Sequence, residues 1–530
     1  MKSIFTLLSL FISFPFIYGQ NPAIEWQNTI GGALTEDLTS LRPTSDGGYI
    51  ILGYSDSDMS GDKTENSNGG IDLWVVKVGS TGAIQWQNTI GGSDIDYGIW
   101  IEQTPDNGYI IGAGSSSNIS GDKTENSRGG NDYWIIKLDE VGNIEWQKTY
   151  GGAQPEFETR VLPTSDGGYF VGGYSDSGVS GDKTEPSKGQ RDYWALKLDS
   201  NGNIVWQKSI GGSTVDRLQE ILVTDDGNYI LAGYSNSGIS GDKTEAGRGL
   251  MDYWIVKINT SGTIIWQKTI GGTGNDILRD IIQTSDGGYL VGGYSESNIS
   301  GDKTENSRGG MDYWVVKLNA VGNIQWQKTI GSSGIDYLRS LMELNDGTYL
   351  ISGYSDGGIS GEKTVASNGG YDYWPVKISN TGAILGQTSI GGSLDESGGY
   401  SIPTADGGFV IGLTSQSNIS GDKTEDSEGE YDYWIFKASS AILGIDEIGL
   451  GATKMSLYPN PNNGNFSISL GKTMPKVSTT TYNAIGQKTA TSTYENTDTL
   501  NLTIEGASGI YFVVVSTPNG EKTTLKISKE

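Results

Sequence analysis

The chain has 530 residues, 80 of them Gly, with 14 Trp, 28 Tyr and 35% apolar residues, a composition that favours packed, turn-rich all-β structure over helix or disorder. A formal net charge of −27 at pH 7 argues against nucleic acid and anionic lipid as partners. With no Cys and no His, disulfides, thiolate metal sites and a Ser-His-Asp triad are excluded, leaving carboxylate, Lys, Tyr or Ser chemistry and oxygen-ligated metals such as Ca²⁺.

Met1-Lys2 precedes an apolar run from Ile4 to Tyr18 that closes on Gly19-Gln20. A short basic start, an apolar core and a small terminal residue predict a cleavable signal peptide over 1–19. Pro15 and the short length argue against a membrane span, and no later stretch reaches the roughly 18 apolar residues that a spanning helix needs.

From there the chain is periodic. Trp26, Trp86, Trp146, Trp206, Trp266 and Trp326 are each 60 residues apart, with Gly386 in the seventh place. A second register, Trp74, Trp134, Trp194, Trp254, Trp314, Trp374 and Trp434, keeps the same step, so that Trp100 alone falls outside the pattern. One unit, from Gly271 to Ile330, reads as four strands: Asp276 to Thr284, a tight turn at Ser285-Asp286-Gly287-Gly288, Tyr289 to Ser295, a polar loop, Asp312 to Asn319, and Ile324 to Ile330. Four short strands per repeat predict a propeller blade, and the repeated Trp read as packing between blades. The phase predicts closure: a lone fourth strand at 24–30 completes the last blade, whose third strand is 432–438, and leaves no open sheet edge. The expected fold is therefore all-β, a seven-bladed β-propeller over 20–439 with blades at about 37–90, 97–150, 157–210, 217–270, 277–330, 337–390 and 397–439 plus 24–30. The pattern of Gly-Gly, an acid, Asp-Gly-Gly-Tyr, Gly-Tyr-Ser, Asp-Tyr-Trp and Lys-Leu resembles the bacterial propeller repeat known as SBBP. That family has no single activity, so the resemblance implies a fold and no catalytic residues.

A Gly/Ala/Ser-rich stretch at 440–454 reads as a linker. Short alternating strands over 455–530, at 465–470, 476–483, 486–493, 498–503, 509–516 and 521–528, predict a small C-terminal β-sandwich. Tyr458-Pro459-Asn460-Pro461, Tyr482-Asn483-Ala484-Ile485-Gly486-Gln487 and Gly509-Ile510-Tyr511-Phe512-Val513-Val514 resemble the type A C-terminal sorting domain of the type IX secretion system. The resemblance implies a partnership with that secretion machinery through 455–530, and a protein released from or held at the outer-membrane surface.

Each repeat carries acids at equivalent places. Asp56, Asp58, Asp62 and Asp72 are candidate Ca²⁺ ligands. Against that role, Asp56 and Asp58 are not repeated, and Lys63 recurs beside the third acid in all copies. Ion pairs and side-chain caps explain the acids more simply, with Lys77 and Asp46 the expected pair at the turn. Positions that break the symmetry are better candidates for binding, because packing does not dictate them. Early in the first strand stand Ser40, Trp100, Arg160, Glu220, Asp280, Ser340 and Tyr400; three places earlier stand Asp37, Tyr97, Phe157, Arg217, Ile277, Tyr337 and Ser397. Of these, Trp100, Arg160, Glu220, Asp280, Tyr400, Tyr97, Phe157 and Arg217 form the candidate channel-mouth ligand site, with Trp100 as an aromatic platform for sugar or peptide. The expected function is a secreted or cell-surface binding or adhesion protein that takes a glycan or protein ligand on its loop-rich face. Two alternatives stand beside it: a secreted carboxylate-based, glycan-active hydrolase using Glu220 and Asp280, or a structural surface component without a specific ligand.

Overall fold

The computed structural model describes residues 24–439, 448–450, 453–458, 464–483, 487–517 and 522–529, and every regular element among them is a β-strand. The expected signal peptide at 1–19 lies outside the described residues, as do 440–447 of the expected linker.

Seven antiparallel sheets follow one another along the chain, six of four strands and one in which the third strand is broken into two. The first runs Glu36–Pro43, Tyr49–Ser55, Asp72–Val78, Ile84–Ile90, and the next four repeat it in steps of 60 residues, through Ile324–Ile330. In the seventh, Glu396–Pro403, Phe409–Ser415 and Asp432–Ala438 lack a fourth strand of their own. Ile24–Ile30 supplies it, pairing antiparallel with the third strand, Thr29 opposite Trp434. The ends of the repeat array are thereby zipped together and the sheets form a closed propeller.

In six of the seven sheets the second strand is turned from the first at an Asp-Gly step; in the second sheet Asn107, at φ 67°, takes the Gly place. Gly47 sits at φ 81°, where only a residue without Cβ is unstrained, and its N–H donates to Thr44 O at 2.9 Å. Asp46 closes the turn and is paired by Lys77 at 2.9 Å. Equivalent pairs recur in the other six sheets: Lys137–Asp106, Lys197–Asp166, Lys257–Asp226, Lys317–Asp286, Lys377–Asp346 and Lys437–Asp406. The expected Lys77–Asp46 pairing thus holds throughout the ring. Together with the Thr44 hydroxyl, the lysine holds the Asp46 carboxyl at about 2, against the cost of its own partial burial.

Packing between sheets explains the two Trp registers. Trp74 and its six equivalents are fully buried. Tyr133, Tyr193, Tyr253 and Tyr313 each donate their hydroxyl to the backbone carbonyl of the Trp in the next sheet, at 3.0–3.3 Å. Tyr433 makes the same contact to Trp74 O across the closing seam, at 3.5 Å. The outer register packs on turn glycines instead: a Cβ on Gly82 would stand 2.6 Å from the Trp26 ring, and one on Gly142 would stand 2.8 Å from Trp86.

The sixth sheet departs from the repeat. Pro375 takes the place of Val75 and its apolar equivalents in the third, central strand, where a backbone N–H should join the ladder. That strand breaks into Asp372–Tyr373 and Val376–Ile378, and its neighbour shortens to Ile384–Gln387. Gly386 there leaves the outer Trp position empty of a ring.

The C-terminal region differs from expectation in its strand count and start. Ile448–Leu450 and Thr453–Tyr458 form a hairpin inside and beyond the stretch read as linker. The runs read as separate strands at 465–470 and 476–483 are one strand, Asn465–Asn483, and 486–493 and 498–503 likewise merge into Lys488–Thr503. Polar positions that suggest turns instead belong to one long two-stranded ribbon, exposed along most of Lys488–Thr503 and with Thr479 and Thr481 buried, whose register slips only between Ser469 and Met474 and near Tyr482. Phe466 and Ile468 before the slip share one core with Val477, Val513, Val515 and Leu525 beyond it, so one six-stranded sheet folds over its own apolar face.

Candidate functional site

The first strands of all seven sheets line an axial channel with a cavity of about 600 Å³. The innermost strand of every sheet carries a β-bulge at the same place. In the first sheet Leu38 pairs with Gly53 and Ser40 with Leu52, leaving Thr39 unpaired, and the same slip occurs at Gly98/Trp100, Phe157/Arg160, Leu218/Glu220, Leu278/Asp280, Leu338/Ser340 and Gly398/Tyr400. A bulge breaks strict alternation, so that two successive side chains turn to one side. The channel is consequently lined by the six equivalents of Ser40, which is itself buried, and also by the bulged series that includes Gln219, Arg279 and Arg339.

The fourth-to-first and second-to-third loops meet on one face: Asp62 N–H donates to Gly31 O at 2.8 Å and Ala33 N–H to Ser60 Oγ at 2.9 Å. The first strands start on that face, so Asp37, Tyr54 and Tyr97 mark the mouth of the channel there. Tyr54 donates to Asp37 Oδ2 at 2.7 Å, and its phenol is raised far above the ordinary range by burial and by that carboxylate.

Of the eight candidate residues, Tyr97, Trp100, Arg160, Glu220, Asp280 and Tyr400 line the channel. Phe157 and Arg217 do not line it. Phe157 packs on Tyr174, ring centroids 5.3 Å apart, and the Arg217 guanidinium donates to the Tyr234 hydroxyl at 3.4 Å. Trp100 is only 8% exposed and offers no platform. Arg42 from the first sheet lies 3.9 Å from its ring centroid, and Arg160 from the third sheet lies 4.7 Å from it. Arg42 in turn pairs with Glu102 at 2.6 Å, and Arg160 pairs with Glu220 at 3.3 Å and donates to Gln219 O at 2.7 Å. The aromatic expected to stack on a ligand is thus the centre of a Glu–Arg–Trp–Arg–Glu chain that ties four sheets together.

Glu220 and Asp280 share this wall. Burial pushes the Glu220 carboxyl up to about 7, Arg160 opposes the rise, and Asp280 adds to it. Burial also raises Asp280, which accepts the Leu341 N–H of the next sheet at 2.7 Å. The symmetry-breaking positions read from the sequence did not include Arg42, Glu102, Glu158, Gln219, Arg279 and Arg339, which also line the channel. The symmetry-breaking test finds Gln219, Arg279 and Arg339 one place before the Ser40 series, given a bulge, and Arg42, Glu102 and Glu158 two places from it, where alternation already allows them.

The four candidate metal ligands do not converge. Asp56 accepts Thr35 N–H at 2.8 Å, Asp62 accepts Gly31 N–H at 3.3 Å, and Asp72 accepts the N–H groups of Asn68 and Gly69. Asp58 contributes its backbone carbonyl, which accepts the Ser60 hydroxyl at 2.8 Å. Among the described residues no group of three or more acidic, His or Cys side chains is placed to hold a metal ion. The carboxylates of Asp56, Asp62 and Asp72 cap loop backbone. Burial beside them raises Asp72 to about 6, and desolvation lowers the ammonium of Lys123, an equivalent of Lys63, to about 8.

Comparison with known proteins places the C-terminal region. Residues 456–530 match the family described as the secretion system C-terminal sorting domain. The chain carries a type IX sorting domain. The sorting domain marks a secreted protein, extracellular or at the cell surface. Over the repeats, the chain is similar to the regulatory protein FlaEY of Caulobacter vibrioides, 24% identical over 416 residues covering 72% of this chain and 42% of that protein. It is also similar to the uncharacterized WD repeat-containing protein L264 of Acanthamoeba polyphaga mimivirus, at 21% over 193 residues covering 30% and 14%. The chain spans less than half the length of both relatives. Among solved structures it is similar to BBS1N in complex with ARL6DN (10% identity, 79% and 98% of the two chains, TM-score 0.42) and to a protein of unknown function from Dyadobacter fermentans DSM 18053 (11%, 79% and 100%, TM-score 0.38).

Proposed function

We propose that this secreted protein is a binding protein, which uses the loop-rich face to engage a partner and the axial channel to take a small polar ligand. One observation carries the reading. Each second-to-third loop holds an aliphatic side chain out to solvent at the same position: Met59, Ile119, Val179, Ile239, Ile299, Ile359 and Ile419, each 59–69% exposed. The loops are built to do so. The N–H groups of Met59, Ile119, Ile299 and Ile419 each donate to the side-chain oxygen seven residues on, at 3.0 Å. Leu34, Ile95, Leu250 and Leu394 add exposed apolar surface on the same face. Exposed aliphatics gathered on one face of a water-soluble fold favour contact with a partner. They surround the channel mouth, where Tyr54, Tyr97 and Asp37 offer polar and aromatic contacts.

Binding is favoured over hydrolysis by what the two channel carboxylates already do. Glu220 is engaged by Arg160 and Asp280 by a backbone N–H, so neither is placed as a free acid or base. The reading includes removal of 1–19 on export, which N-terminal sequencing of secreted material tests by finding Gln20 first. A glycan and peptide array probed with the full chain tests the binding itself. Specific signal that falls when Ile239 and Ile359 are changed together to Asp is the expected result. Silence across the array, or signal indifferent to that change and to channel substitutions, refutes the reading.

A further inference from the structure

All nine arginines of the chain lie among the described residues. Six of them pair with carboxylates: Arg42, Arg128, Arg160, Arg191, Arg248 and Arg308. Arg217, Arg279 and Arg339 form no ion pair with a described carboxylate, and in each the Nε is buried without a hydrogen-bond partner. In a chain of net charge −27, unpaired arginines are the unexpected case. Two of the three, Arg279 and Arg339, stand at the bulge position of adjacent sheets and line the channel. Arg279 donates once, to the Gln219 side chain, and the Arg339 guanidinium lies 6.0 Å from the Tyr354 ring centroid. A guanidinium has five donors in a planar fork; in both residues Nε is buried without a partner, which is costly, while the half-buried side chain reaches the channel. An anionic group delivered by a ligand would remove that cost, and a carboxylate matches the fork.

The surroundings say what else the ligand carries. Tyr54, Tyr97, Tyr400, Ser340 and Ser401 line the same cavity as hydroxyl donors and acceptors, and Asp37 and Glu158 are acceptors for hydroxyl hydrogens. A cavity of about 600 Å³ is of the size that small ligands occupy. We propose that the channel binds a small polyhydroxylated carboxylate of the uronate type, its carboxylate held by Arg279 and Arg339 and its hydroxyls by the tyrosines and acids of the mouth. The inference rests on the channel being a ligand site, and gives that site its substrate class.

Isothermal titration of the full-length protein with sodium D-glucuronate, D-galacturonate, D-glucose and acetate tests it. Both uronates should bind, glucose should not, and acetate should bind more weakly than either because it lacks the hydroxyls. Arg279→Gln and Arg339→Gln should each weaken uronate binding about tenfold or more, since each removes a charge-assisted contact. Arg339→Lys, which keeps charge and loses the fork, should fall between. Arg308→Gln, on the outer loop, should bind as the parent does. Unfolding midpoints of all variants check that the fold is kept. The proposal is overturned if uronate affinity is unchanged in both Gln variants, if glucose binds as well as glucuronate, or if no uronate heat is seen at millimolar concentration. Binding of neutral sugars or peptides that is sensitive to Tyr97→Ala would leave the channel reading standing and remove the carboxylate. Absence of any ligand in titration and array alike would remove both.

Discussion

The seam where the ring closes lacks a staple that other seams possess, and restoring it should stabilise the protein. In five of the seven loops a side chain reaches the acid of the next sheet. Arg128 meets Asp182 at 3.1 Å, Arg248 meets Asp302 at 3.1 Å, Arg308 meets Glu362 at 2.6 Å, and the amides of Asn68 and Asn368 donate to Asp122 and Asp422. At the closing seam the equivalent residue is Glu428, and the acid it approaches is Asp62. A Cβ on Gly61 would stand 3.3 Å from the Glu428 side chain, and the Asp62 carboxyl is raised first by burial and then by the charges of Glu428, Asp432 and Glu425. Glu428→Arg replaces a like-charge approach with the ion pair seen in the second and fourth loops. Partly exposed pairs of this kind contribute about 0.2–1 kcal/mol, and relief of the repulsion adds a similar amount, for a total of about 1 kcal/mol at low salt. The sign with pH is distinctive. Asp62 is raised in the folded state, so its contribution is fully present below about pH 4, the unfolded carboxylate value, and is lost as pH rises through the folded value. Glu428→Arg should reverse that dependence, because the new partner favours the ionised carboxylate. Urea unfolding of the parent, Glu428→Gln and Glu428→Arg at pH 7 and pH 4, in low salt and in 1 M NaCl, reads this directly. The Arg variant should have the highest midpoint at pH 7, with the advantage shrinking in acid and in salt. If Arg is no better than Gln at pH 7 in low salt, the seam is not electrostatically strained and the reasoning fails.

Trp100→Ala should destabilise the fold by about 3 kcal/mol, since it removes a nearly buried ring and the contact joining Arg42 to Arg160; an unfolding midpoint equal to that of the parent would refute the central role given to the ring. Backbone amides of the sixth sheet should exchange with deuterium faster than their equivalents in the fifth, and Pro375→Val should slow them; equal exchange in both sheets would show that the broken strand costs nothing. Stability should fall as pH rises from about 4 to about 8, because buried carboxyls such as Glu396, raised to about 7, and Asp276 and Asp336, raised to about 6, bind protons in the folded state that the unfolded chain has released. Below pH 4 the trend should reverse, as Asp46, Asp166 and Asp286, held near 2, lose the lysine pairs that ionisation permits; midpoints that rise from pH 4 to pH 8 would contradict the raised carboxyls, and midpoints that do not fall below pH 4 would contradict the paired ones.

How much of this could be read from residues alone follows from which features repeat. The 60-residue step, the closing strand at 24–30 and the Lys77–Asp46 pair are each imposed seven times or by the phase of the repeat, so one chain carries several independent statements of the same rule. Pro375 was equally visible as a breach of that rule, and its effect on a central strand follows from one missing N–H. The long C-terminal strands were harder, because Thr- and Ser-rich ribbon with one wet face looks like a series of turns.

The site was half legible for a specific physical reason. Symmetry-breaking positions did point to the channel, but period-two alternation admits only every second residue to its wall. The bulge at Thr39 and its equivalents breaks that alternation, and it brings in Arg279, Arg339 and Gln219. Nor could spacing tell that Trp100 would lie between guanidiniums from the sheets on either side of it, because those contacts depend on which sheets are neighbours and at what height each side chain enters. The same geometry separates two kinds of channel charge. Arg42, Glu102, Arg160 and Glu220 satisfy one another and hold the wall; Arg279 and Arg339, on the adjoining stretch of the ring, are left to be satisfied from the channel. A wall built only for stability would have little reason to leave them so, since an apolar residue of similar size would remove the cost of the buried Nε, at the loss of one hydrogen bond between sheets, Arg279 to Gln219, and of none from Arg339 among the described residues.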